Sequence, residues 1–164
     1  MSYPGILPQT DLDFAFGLIA AMVFGALIGL ERQLRRHPAG LHTNALVALG
    51  SAAFVMAGIM VGDPSGPARV AGQVVTGVGF LCAGVIMHQG VTVRGINTAA
   101  TVWCASAVGV LAGLGLILWS AVVTALIVFA NITLHYMEHR IIKSQQDHPD
   151  PNGGEVENSE GDNR

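Results

Sequence analysis

Two short polar clusters interrupt an otherwise apolar chain, and both have residue types suited to holding charge. The first runs Glu31, Arg32, Arg35, Arg36, His37, with His42 and Asn44 close behind; the second is His88, Arg94, Asn97 and Thr98. A carboxylate four residues before an arginine shares its helical face, so Glu31 can pair with Arg35, or it can reach Arg94 in the other cluster. Asn44, Asn97 and Thr98 open apolar segments, where the N-terminus of a helix leaves N–H groups unpaired and attracts anions. We therefore read Glu31, Arg32, Asn44, Arg94, Asn97 and Thr98 as a functional polar ring. Asp63 and Arg69 flank a turn between apolar runs, whereas Gln73 and Thr76 fall inside one. Polar groups at such a depth need hydrogen-bond partners on neighbouring helices.

Catalytic chemistry finds little to work with. Ser51, Ser106 and Ser120 stand alone in apolar runs, none of them in a GxSxG setting. Gly77 and Gly79 lie inside an apolar segment without the lysine that a phosphate loop requires. Cys82 and Cys104 also sit mid-run, where thiols behave as small hydrophobes, and no CxxC or Cys/His cluster exists. A magnesium or calcium site wants several oxygen ligands, but no carboxylate lies in the middle of an apolar run. The expectation is a protein that is not an enzyme, with no metal site, no cofactor and no nucleic-acid partner.

The elements that must position these residues are membrane spans. Only 12% of the residues are charged and 51% are hydrophobic, against roughly 25% charged in soluble domains. Between Leu46 and Leu134 the charged residues are Asp63, Arg69 and Arg94 alone. Apolar runs from Leu12 to Leu30, Thr43 to Gly62, Val70 to Met87, Ile96 to Gly113 and Leu114 to His135 each approach the ~20 residues that cross a bilayer. The fold class is thus all-α integral membrane protein with five transmembrane helices. Gly17, Ala21, Gly25 and Gly29 line one face of the first, and Ala105, Gly109 and Gly113 one face of the fourth. Such faces let helices approach closely and allow a homodimer. Asp63 to Arg69, with two prolines, a glycine and a serine, reads as an irregular turn.

Placing the Glu31–His37 loop inside gathers Arg32, Arg35, Arg36, Arg94, Arg140, Lys143 and Arg164 on the cytoplasmic side and leaves Arg69 outside. The positive-inside rule then puts the N-terminus outside and the C-terminus in the cytoplasm. Residues 1–11 are the extracytoplasmic N-terminus, 12–143 the transmembrane domain, and 144–164, rich in Asp, Glu, Gly and Asn, a disordered acidic tail. Laying Gly40–Gly58 over Gly95–Gly113 matches Gly40 with Gly95, Thr43 with Thr98, Ser51 with Ser106 and Gly58 with Gly113. Helices 1–2 and 3–4 therefore look like a parallel hairpin repeat.

Several longer motifs carry a resemblance: Leu27 to Arg32, Ala39 to Gly50, Asp63-Pro64, Arg69, Gln73 to Gly84 and Val93 to Trp103. In this order they resemble the MgtC/SapB family of bacterial inner-membrane proteins over roughly Leu12 to Leu134. The resemblance implies a multi-pass plasma-membrane protein that, in some bacteria, supports virulence, survival inside macrophages and growth at low magnesium. It further implies restraint of the F-type ATP synthase as a mode of action. Glu31, Arg32, Asn44, Asp63, Arg69, Gln73, Arg94 and Thr98 fall on motif positions. Two residues depart from the family pattern: His42 stands where arginine is common, and Cys82 where glycine is usual. Longer members continue into a soluble ACT-like domain, whereas this sequence ends in the acidic tail and reads as the short form.

Two functions remain open at this point. The first is a non-enzymatic membrane regulator, in contact with membrane lipid, that binds another membrane complex through its polar ring and small-residue faces. The alternative is a transporter or channel for a cation or small solute, lined by Gln73, Thr76, Asn44 and Asn97.

Overall fold

The computed structural model describes residues 10–89 and 92–146. Five helices follow one another: α1 (Asp11–Leu34), α2 (Leu41–Met60), α3 (Gly66–Val85), α4 (Ile96–Gly113) and α5 (Ile117–Gln146). All five are long and apolar enough to cross a membrane, so the chain is an all-α multi-pass membrane protein. Between α3 and α4 two short antiparallel strands, β1 (Met87–Gln89) and β2 (Thr92–Arg94), pair Met87 with Arg94 and Gln89 with Thr92. Residues up to Ala130 form one compact unit; Asn131 onward, the last turns of α5, form a second.

Helix ends follow from local chemistry. Thr10 caps α1 in a reciprocal box, its hydroxyl accepting from the Asp13 N–H at 3.2 Å while the Asp13 carboxylate accepts from the Thr10 N–H at 3.0 Å. Three of the helices stop by reversing into a left-handed residue: Gly62 after α2, Gly115 after α4, and Arg36 after α1. At α1 the Arg36 N–H donates to the Gln33 carbonyl and the His37 N–H to the Arg32 carbonyl, both at 3.0 Å. That pairing satisfies carbonyls that the helix end would orphan. Glycine normally fills the reversing position because a Cβ there costs about 1–2 kcal/mol.

Two boundaries differ from the sequence expectation. The stretch from Asp63 to Arg69 is not wholly irregular, because α3 already begins at Gly66. Pro67 fits its first turn, where a missing N–H breaks no helical bond. Likewise α5 begins at Ile117 rather than at Leu114, after the left-handed turn at Gly115.

The core is built from small residues. Ala21, Ala52 and Ala112 are completely buried together, while Phe80 is 81% exposed and Phe54 65%. In water that distribution would be an aggregation hazard; in lipid it is the expected one, since tails solvate large apolar side chains and close backbone approach holds helices together. A Cβ added at Gly25 would meet the Asn44 carbonyl and the Ala48 Cβ at 2.5 and 2.7 Å, and one at Gly113 would meet the Ala52 carbonyl at 2.7 Å. Thus α1 and α4 both lie against α2, and α3 closes on α2 and α4. Val123, Ile127 and Val128 of α5 pack on Ile28, Ala105 and Val108.

Candidate functional site

The end of the bundle where α1 gives way to α2, and the strand pair to α4, collects the polar groups. The turn from Arg35 to Gly40 is tied down by Asn44, whose Nδ2 donates to the Ala39 carbonyl at 2.7 Å and the Gly40 carbonyl at 2.9 Å. The Gln33 side chain accepts from the Leu41 N–H at 3.3 Å and so caps the start of α2. Asn44 itself is fully buried, with its Oδ1 lacking a hydrogen-bond partner among the described residues. Close approach makes the arrangement obligatory: a Cβ at Gly29 would stand 2.6 Å from the Gly40 carbonyl and from the Leu41 Cα.

Arg32 is the centre of this end. Only 2% exposed, it turns inward from α1 and donates from Nη2 to the Thr98 hydroxyl on α4 at 2.7 Å. Its Nε has no hydrogen-bond partner among the described residues. Of the residues read as a polar ring, Arg32 and Thr98 are thus brought together across the bundle. Glu31 points elsewhere: its carboxylate pairs with Arg35 at 2.5 Å, one helical turn on, which settles the choice between Arg35 and Arg94 in favour of the local partner. Arg94 and Asn97 are exposed at the entrance to α4, and Arg94 makes no ion pair among the described residues. The side chain of His88 lies outside the described residues.

At the opposite end Asp63 and Arg69 do meet. The Arg69 guanidinium donates to the Asp63 carboxylate at 2.6 Å, while the Ser65 N–H and hydroxyl both donate to its other oxygen at 2.9 Å. Those bonds, the Ser65 backbone N–H first, hold the Asp63 carboxyl below its ordinary range.

Of the residues named for a channel lining, one faces the groove between α2 and α3. Gln73 is exposed in a groove of about 600 Å³ between α2 and α3, lined otherwise by Leu46, Val47, Phe54, Val74, Leu81 and their neighbours. Asn44, Thr76 and Asn97 do not line it. Thr76 is satisfied within its own helix, donating to the Gly72 carbonyl at 3.2 Å.

Sequence reasoning missed two polar contacts that hold helices together. Ser120, completely buried, donates to the Val108 carbonyl at 2.9 Å and links α5 to α4. Cys82 donates to the Ala99 carbonyl at 3.2 Å and packs among Val74, Val78 and Val102. A lone serine or cysteine in an apolar run carries no periodic signal that distinguishes such a bond from simple packing.

Comparison with known proteins adds a family. A model described as the MgtC family matches residues 18–140. The chain is 52% identical over 128 residues to Protein MgtC of Salmonella typhimurium (strain LT2), covering 78% of this chain and 55% of that one. It is 54% identical over 117 residues to Protein MgtC of Brucella abortus (strain 2308), covering 71% of this chain and 49% of that one. The chain thus spans about half the length of the curated relatives it matches. No solved structure matches it.

Proposed function

The chain belongs to the MgtC family, and from that premise we propose that it is a non-enzymatic regulator of the bacterial inner membrane. In this reading it serves adaptation to low magnesium and intracellular survival by restraining the F-type ATP synthase. The observation that carries the reading is the buried Arg32–Thr98 bond. A guanidinium whose only task is to fix topology has no need to be taken out of water, at a cost of several kcal/mol, and aimed at another helix. Arg32 instead braces α1 against α4, so that Arg36, His42, Arg94 and Asn97, all exposed, are presented from a fixed frame to a partner. The positive-inside rule places that frame in the cytoplasm, with the N-terminus outside.

Inverted membrane vesicles with and without the protein test this, by following ATP-driven acidification and ATP hydrolysis in one sample. Acidification and hydrolysis falling together is the expected result. A second reading, transport of a small solute, draws on the exposed amide of Gln73 in its apolar groove; it expects acidification to fall while hydrolysis holds. If neither changes, the ATP synthase is not the target.

A further inference from the structure

The start of α4 combines features that repel one another. Its cap is Gly95, in a left-handed conformation at φ 95° and with no side chain to accept from the helix. The first N–H to donate within the helix is that of Ala99, to the Gly95 carbonyl at 2.8 Å. The N–H groups of Ile96, Asn97 and Thr98 are thus without a helical acceptor, and they carry the positive end of the helix dipole. Against this positive end the fold places a second positive charge, Arg32, which is 2% exposed and cannot deprotonate. Glu31 attracts Arg32 through space, but its carboxylate is held by Arg35. The Arg32 Nε remains unpartnered among the described residues. Thr98 accepts from Arg32 and keeps its own hydroxyl proton to donate.

A buried cation facing a helix N-terminus is stabilised when an anion joins them. Backbone N–H groups, a hydroxyl and a guanidinium converging on one helix start form the donor set that phosphate oxygens take. Ile96, 60% exposed, and Asn97 beside it leave the first turn of the helix uncovered. Arg94, two residues before the helix, adds an exposed positive charge.

We propose that the first turn of α4, backed by Arg32 and Thr98, binds a phosphate group, supplied either by a lipid headgroup or by free inorganic phosphate. The site deepens the proposed function, since it rests on the same polar end. Its test uses purified protein, so that failure of one reading is distinguishable from failure of the other.

The experiment follows the thermal unfolding of the full chain in phosphatidylcholine nanodiscs as inorganic phosphate replaces chloride at constant ionic strength. It is repeated in nanodiscs containing phosphatidylglycerol without free phosphate. The unfolding midpoint is expected to rise in at least one arm. A response to phosphate identifies the free ion, and a response to phosphatidylglycerol alone identifies the headgroup. Arg32→Gln should abolish the rise. Thr98→Val, which keeps the shape of the side chain and removes the hydroxyl, should weaken the apparent affinity several-fold and decides the matter if Arg32→Gln does not fold. Arg69→Gln at the opposite end should respond as the unaltered protein does. No rise in either arm, or an unchanged response in Thr98→Val, would overturn the site.

Discussion

Asp63 shows what a single side chain contributes at an exposed turn. Its carboxylate accepts from the Ser65 N–H and hydroxyl and from Arg69, and the Ser65 bonds lower its pKa in the folded state. A depressed carboxylate stabilises the fold above its unfolded pKa, about 3.9, and that contribution is lost as pH falls through the folded value. The turn before α3 should therefore loosen only below about pH 4, and Asp63→Asn should remove that acid limb. Hydrogen exchange at the Ser65 and Gly66 amides as a function of pH checks both outcomes. Arg36 is the complementary case, a residue held where its own type is disfavoured. Its left-handed backbone at φ 57° costs about 1–2 kcal/mol relative to glycine. Arg36→Gly should raise stability by up to ~1 kcal/mol after the greater unfolded-state entropy of glycine is counted, read as a shift in the unfolding midpoint in detergent.

Between elements, the decisive contacts are those that tolerate no extra atom. A Cβ at Gly109 would collide with the Ala48 carbonyl of α2, whereas one at Gly77 on α3 would meet nothing within 4 Å. Gly109→Ala should cost about 1–3 kcal/mol, the usual range for overpacking, while Gly77→Ala should change stability by less than ~1 kcal/mol. Equal effects of the two substitutions on the unfolding midpoint would show that the seam between α2 and α4 is not what holds the bundle. Removing the Ser120 hydroxyl with Ser120→Ala should cost only about 0.6 kcal/mol, the typical worth of a hydrogen bond between membrane helices. The five helices and the small-residue seams were legible in the sequence because both are periodic: apolar runs of membrane length and glycine or alanine every fourth residue. The reversal at Arg36 was not, since no glycine marks it. Nor was the inward turn of Arg32, because an arginine that stays at the surface and one that reaches another helix are identical in sequence. The Asp63–Arg69 pair and the polar character of the α4 entrance were visible as residue types. Their partners were not, because partner choice depends on distances that only packing fixes.

For the whole molecule the question is how a bundle with so few charges acts on something else. Among the described residues one end gathers the larger set of exposed polar groups, Arg94, Asn97, Arg36 and His42, around a frame fixed from inside by Arg32, Thr98 and Asn44. If the molecule works as a regulator, the exposed and the internal groups must fail in different ways. Arg94→Ala removes an exposed charge that braces nothing among the described residues, so the protein should insert at normal levels, keep its unfolding midpoint, and lose its effect on ATP-driven acidification and hydrolysis. Glu31→Ala removes a carboxylate that is only 10% exposed, frees Arg35 from its ion pair and leaves buried Arg32 without the charge that attracts it, so it should lower the unfolding midpoint as well as the activity. Arg32→Gln should lower the unfolding midpoint as well as the activity, since it takes away the bond between α1 and α4. Vesicles prepared with matched amounts of each variant separate these cases, and normal restraint by Arg94→Ala would move the partner surface away from this end and onto the lipid-facing helices.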